Sequence, residues 1–303
     1  MKKKAKAFDV AVTMFFLLIM LGGIAVILYP FFSSWWNERS QSKVIEQYNE
    51  KVGSLDTTDM DAIFAQARDY NTALAALQNP MLQYQEVPDY SESLDITGTG
   101  IIGYIDIPKI NVHLPIYHGT SPEVLNIAVG HMQGSSLPIG EIGTHAVISA
   151  HSGLPSAKLF SAVNQLTEDD RFSISVLDEV FTYEVEQTTV VLPHETNELR
   201  IEPDRDLVTL LTCTPYGINT HRLLVRAHRI DTITEVETEH KIRIPADAVF
   251  AANATTLPFI ILPLIVLLLL YWTIKGKPKY KRHYSAYICK KYLDTTERNG
   301  GTS

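Results

Sequence analysis

Two stretches of this sequence carry no charged side chain, Val10 to Trp36 and Ala248 to Ile274. Each exceeds the roughly 20 apolar residues needed to cross a hydrocarbon core about 30 Å thick, so both read as membrane spans. Pro30 and Pro263 are compatible with that reading, because neighbouring groups can satisfy the carbonyl that a proline leaves free. Lys2, Lys3, Lys4 and Lys6 precede the first stretch, and Lys275, Lys277, Lys279, Lys281 and Arg282 follow the second. The bias of basic residues toward the cytoplasm then puts both termini inside and residues 37–247 outside the cell membrane. A cleaved signal peptide is the other reading of the first stretch. Against it, Tyr29-Pro30-Phe31-Phe32 and Trp35-Trp36 form an interfacial aromatic belt and offer no small-residue cleavage site.

The chain divides accordingly. Residues 1–9 are a cytoplasmic N-terminus and 10–36 a transmembrane helix or signal anchor; 37–78 form an N-terminal helical region and 79–100 a long loop. Residues 101–235 form a β domain, 236–250 a juxtamembrane linker, 251–274 the second span and 275–303 a basic cytoplasmic tail. The formal net charge is −8, with −17 on the segment between the spans and the balance in the basic ends. An acidic external domain argues against nucleic acid as a partner, which calls for a basic face. The lipid bilayer is the partner the spans imply.

Between Thr58 and Leu77, apolar residues recur at three and four (Met60, Ile63, Phe64, Ala67, Tyr70, Leu74), which predicts an amphipathic helix begun by Thr58 and stopped by Asn79-Pro80. A shorter polar helix fits Glu38 to Tyr48. Residues 79–100 hold two prolines and no sustained period, and a loop of that length is commonly functional or mobile. From Ile101 the pattern turns to short strands. They span 101–107, 112–117, 146–150, 172–177, 181–192, 207–213 and 223–230, with short helices at 122–127 and 156–163. So many short strands in succession predict a closed or nearly closed barrel rather than βαβ units.

Two cysteines are present, Cys213 outside and Cys289 in the tail. They cannot pair across a membrane, and a lone external thiol stands out in a compartment that normally pairs cysteines. An inert, buried Cys213 packed as a small hydrophobe is the alternative. The run Leu207 to Arg229 reads as a β-hairpin turning at Pro215/Gly217, so Cys213 and Arg222 should lie side by side on adjacent strands. A thiolate, not a thiol, is the attacking species, and an unperturbed Cys has a pKa of about 8.5, so such a nucleophile needs a partner base. His151 is the best-placed histidine, closing the apolar run Ala146 to Ala150 where a strand becomes a loop. His145 should lie at the other end of that strand. His113, His118 and His131 show no zinc-like spacing, the acids are scattered, and neither a metal nor a cofactor is implied. Arg222 is either an ordinary ion-pair partner or the forked donor that holds a carbonyl oxygen or oxyanion.

These residues resemble the sortase family. Thr209-Leu210-Leu211-Thr212-Cys213 matches its TLxTC motif, and Arg222 follows Cys213 at the family's Cys-x8-Arg spacing. GYIDIPKI, LPIYHGTS, GHMQGSSLPIG, THAVISAH and GLPSAKLF, taken in order over residues 100–231, look like the pilin-polymerising class C members in particular. The resemblance implies an eight-stranded sortase barrel with peripheral helices. It makes Cys213 the nucleophile, His151 the general acid/base and Arg222 the carbonyl or oxyanion stabiliser, with Thr212 a substrate-binding candidate. It implies cleavage of an LPxTG-type sorting signal between Thr and Gly through a thioacyl enzyme, and transfer to a lysine of the next pilin subunit.

Two departures stand out. Class C lids present Asp-Pro-aromatic, whereas the nearest match here is Asn79-Pro80-Met81; and the family's Gly-His-Arg is Ala150-His151-Ser152. A housekeeping-type sortase that uses a peptidoglycan precursor, and a non-enzymatic membrane scaffold or sensor, are the competing readings. A sorting substrate is disfavoured, because no LPxTG precedes the second apolar stretch.

Overall fold

The computed structural model describes residues 2–154 and 159–231, with side chains from residue 11 onward. The second span, the linker, the basic tail and Cys289 lie outside the described residues, as do residues 156–158 of the helix expected at 156–163; the described remainder is turn at 159–162, followed by a 3-10 turn at Val163–Gln165.

The chain begins with one helix, α1, Lys2–Val52, where the sequence suggested a span followed by a separate helix. Nothing between Trp36 and Val52 breaks the backbone ladder, and Pro30 is carried inside it. Among the described residues this is the one helix long and apolar enough to cross a membrane. Its far end is not free. Tyr48 is buried against the β domain, its hydroxyl donating to Ile102 O (3.3 Å) and accepting from Leu177 N (2.9 Å), and the Gln41 amide donates to Ile127 O.

Helix α2, Thr57–Ala75, is capped by Asp56, not Thr58: the Asp56 carboxylate accepts from Asp59 N at 2.8 Å. Asp56 supplies the extended N-cap backbone and places an anion at the helix start. Phe64, Ala67, Tyr70 and Leu74 bury the predicted stripe, while Asn71 forms a two-way bridge with the backbone of Leu137. The 79–100 segment is more ordered than a plain loop. It contains a short helix, α3, Pro80–Gln83, and then inserts Val87, Tyr90 and Leu94 into the core.

The β domain is a closed barrel of eight strands: β1 Ile101–Ile107, β2 Val112–His118, β3 Val129–His131, β4 Thr144–Ser149, β5 Arg171–Val176, β6 Glu179–Val191, β7 Asp206–Thr214 and β8 His221–Ile230. Its order is β1-β2-β3-β4-β7-β8-β6-β5, closing back on β1. A four-residue helix, α4, Pro122–Leu125, links β2 to β3. The strand missed by sequence reading is β3; three residues carry no alternation, and its form is set by β2 and β4 on either side.

Candidate active site

Strands β4 and β7 run parallel, with Ser149 opposite Leu211. The pairing extends one step past β4, because Ala150 N donates to Leu211 O at 3.1 Å and the Thr212 hydroxyl donates to Ala150 O at 2.8 Å. The next step sets His151 across from Cys213. On the other side of β7, the antiparallel hairpin pairs Cys213 directly with Arg222.

Side chains alternate along a strand, so the faces can be assigned. Ala146, Ile148 and Ala150 of β4 and its end, Val208 and Leu210 of β7, and Leu223 and Val225 of β8 point into the main barrel core. The opposite parity, Val147, Leu211 and Leu224, joins Leu199 in a second apolar cluster on the outer face. His151, Cys213 and Arg222 share the parity of that second cluster. Cys213 and Arg222 therefore stand side by side on the outer face of β7 and β8, next to the second apolar cluster, and His151 follows two residues after the end of β4 at the same end of the sheet. Cys213, His151 and Arg222 are all partly exposed.

Thr212, the substrate-binding candidate, has a structural partner in the fold. It is buried and has the inward parity, and its hydroxyl is spent on the carbonyl preceding His151. It holds the end of β4 against β7 and so places the histidine.

The loops finish the site. One Arg222 nitrogen donates to Asn219 O (3.2 Å) and His221 O (3.1 Å), tying the guanidinium to the hairpin turn. At that turn Gly217 and Asn219 have positive φ, which glycine and asparagine tolerate best. Tyr216 leans on Gly153, where a Cβ would lie 2.7 Å from the ring, so the hairpin turn packs on the loop carrying His151. Phe160 N donates to His151 O at 3.2 Å and anchors that loop's return.

Across the second apolar cluster, residues 192–205 join β6 to β7. Together with Ala75 to Met81 they enclose a cavity of about 410 Å³, to which Gly134 also contributes. Asn79, Pro80 and Met81, the lid candidates, line this cavity, and Met81 packs on the cluster of Val147, Leu199, Leu211 and Leu224. Asn79 starts α3, its N–H donating to Gln83 Oε1 at 2.9 Å. Gly134, with φ +89, lets the Pro80–Met81 backbone approach.

Two buried histidines lie outside the predicted trio. His145, on the same outer parity as His151, bridges Thr209 and the 192–205 loop. His131 is enclosed with Tyr90, and burial pushes its pKa down to about 4. The common parity of positions 145, 147, 149 and 151 was the available sequence signal for His145. Among the described residues there is no cluster of His, Cys, Asp or Glu suited to a metal ion.

A closed barrel of this topology, with a cysteine and an arginine paired on adjacent strands and a histidine just past the end of the neighbouring strand, defines a thiol acyl-transfer class of protein. The sortase-domain model matches residues 105–230. Among solved structures, sortase C1 from Streptococcus agalactiae is 43% identical with a TM-score of 0.58, covering 63% of this chain and 100% of that one. Sortase C from Clostridium perfringens SM101 is 41% identical with a TM-score of 0.54, covering 63% and 99%. Sortase D of Bacillus subtilis (strain 168) is 30% identical over 115 residues, 38% of this chain and 55% of that protein. The chain spans about half the length of the curated relatives it matches. It belongs to the sortase family, whose members are cysteine transpeptidases, and its structural likeness is to the class C sortases.

Proposed function

We infer that this chain is a membrane-anchored pilin polymerase. The observation that supports the reading is the direct pairing of Cys213 with Arg222 on β7 and β8, with His151 one residue past the hydrogen bonds that carry the end of β4 along β7. A sorting signal of the LPxTG type lies extended over the second apolar cluster, with its Thr–Gly bond at Cys213. The Cys213 thiolate attacks the Thr carbonyl carbon, and Arg222 donates to the oxyanion. His151, as the imidazolium, gives its proton to the Gly nitrogen as the C–N bond breaks. A neutral lysine amine of the next pilin then attacks the thioester carbonyl and loses a proton to His151. Cys213 departs as the thiolate, which restores the starting ion pair. Both termini sit in the cytoplasm, and the barrel faces the outside.

The Cys213→Ala variant is expected to lose high-mass pilin ladders in cells while its melting temperature stays within about a degree of the native chain, since an outer-face thiol contributes little to the core. Ladders that persist in that variant, with no other sortase in the cell, defeat the polymerase reading. Supplying purified protein with sorting peptide plus either a pilin or a lipid-linked peptidoglycan precursor separates polymerase from housekeeping use.

A further inference from the structure

His145 is fully buried, yet both of its ring nitrogens are engaged. Nδ1 lies 2.8 Å from Arg200 O, and Nε2 lies 2.8 Å from Thr209 Oγ1. A carbonyl only accepts, so Nδ1 carries the proton, and Nε2 of the neutral ring accepts from the Thr209 hydroxyl. Burial lowers the ring's pKa and favours that neutral form. One imidazole thus joins two strands and a loop: β4, which leads to His151; β7, which carries Cys213; and residues 192–205, through Arg200.

That loop is the wall of the cavity facing α3, contributing Thr196, Asn197, Leu199, Arg200 and Ile201. Around the imidazole the same loop is held by ion pairs. Arg226 of β8 reaches Glu198 (3.7 Å) and Glu202 (3.6 Å), and it shares Glu186 of β6 with Arg205. Arg226, Glu202 and Glu186 are the charged groups that bear on the imidazole. The ion pairs are partly exposed and individually weak. The imidazole bridge is dry, directional and connected to the strand of the nucleophile.

We propose that His145 is a positioning residue for substrate: it sets the distance between the 192–205 wall of the groove and the β7 strand carrying Cys213, and so determines how firmly the sorting peptide is held. The proposal rests on the transpeptidase reading above, but its structural half can be tested without it.

The test uses the full chain in detergent and two single substitutions that divide the bridge. A glutamine places its amide near the Nε2 position and an asparagine near Nδ1. His145→Gln therefore keeps the Thr209 contact and cuts the loop tether, whereas His145→Asn keeps the tether. His145→Gln is expected to raise KM for a sorting peptide about fivefold or more, the cost of one lost buried hydrogen bond, with kcat close to native. His145→Asn is expected to restore most of that loss. Amide exchange over residues 192–205 should quicken in His145→Gln only, while β7 exchange and alkylation of Cys213 by iodoacetamide stay at native rates. Unchanged loop exchange in His145→Gln overturns the proposal, and so does a fall in kcat with KM unmoved, or an equal loss of melting temperature in both variants without loop loosening. If the native chain cleaves none of the peptides, the functional reading fails instead, and loop exchange still decides the tether.

Discussion

Asp206 opens β7 at the end of the barrel opposite Cys213. It is buried, with only long hydrogen bonds from the Tyr183 hydroxyl (3.3 and 3.4 Å) and the Thr144 hydroxyl (3.4 Å), and with Arg229 4.0 Å away. Burial raises its pKa from 3.8 to about 6, and Arg229 opposes the rise without cancelling it. A carboxyl whose folded pKa is raised stabilises the fold when protonated, below about 4, and that contribution is lost as pH climbs through about 6. Other buried groups slope the opposite way: the lowered pKa values of His118, His131 and His145 make the fold lose stability as those residues gain protons in the unfolded chain. The difference between native protein and Asp206→Asn isolates the carboxyl. Between pH 6 and pH 4 the native chain should gain about 2 kcal/mol relative to Asp206→Asn, read from melting curves at each pH, on the scale of about 1.4 kcal/mol per unit of pKa difference. A constant difference across that range would place Asp206 in contact with more water than its burial implies.

At the scale of elements, the 79–100 segment divides in two. No residue of α3 is buried, and Met81 rests only partly covered on the outer-face cluster. Farther along, the Tyr90 hydroxyl joins His131 Nδ1 (2.9 Å), His131 O (3.0 Å) and Gly119 N (3.0 Å), while Leu94 fills the core. We expect residues 79–86 to exchange amide hydrogens well before residues 90–94, by mass spectrometry. We also expect Met81→Asp, which forces a charge onto the apolar cluster, to speed cleavage of a sorting peptide by freeing the groove wall. Uniform exchange along the segment would count against a lid hinged at Tyr90. This division was not legible beforehand. Tyr90 is one aromatic in a polar stretch, and only the distant His131 and Gly119 reveal that it is an anchor. The hairpin of β7 and β8 was legible, because alternation and turn residues are local and fix which side chains face each other. Cys213 beside Arg222 followed from that register alone. His151 needed the parallel β4–β7 pairing, whose partners are 62 residues apart, and the His145–Arg200 bridge spans 55 residues with no local pattern to mark it.

For the molecule as a whole, the continuity of α1 makes its apolar first half and the barrel mechanically one. Ile45, Tyr48 and Val52 are buried, the last two within the main core, and the Tyr48 hydroxyl bridges β1 to the turn after β5. The helix beyond the aromatic belt is therefore part of the folded domain and not a tether to it. Burying three such side chains contributes on the order of several kcal/mol, at about 1.5–3 kcal/mol for each large apolar group. The bridging hydroxyl adds the cost of leaving a backbone donor and acceptor unpaired, about 1–3 kcal/mol each. A soluble domain begun at residue 37 should consequently melt well above one begun at residue 57, although both contain the whole barrel and the Cys213 face. Tyr48→Phe in the longer form should reproduce part of that drop by itself, because it removes the bridge and keeps the ring. If the two truncations melt together, the part of α1 beyond the aromatic belt contributes nothing to the stability of the barrel.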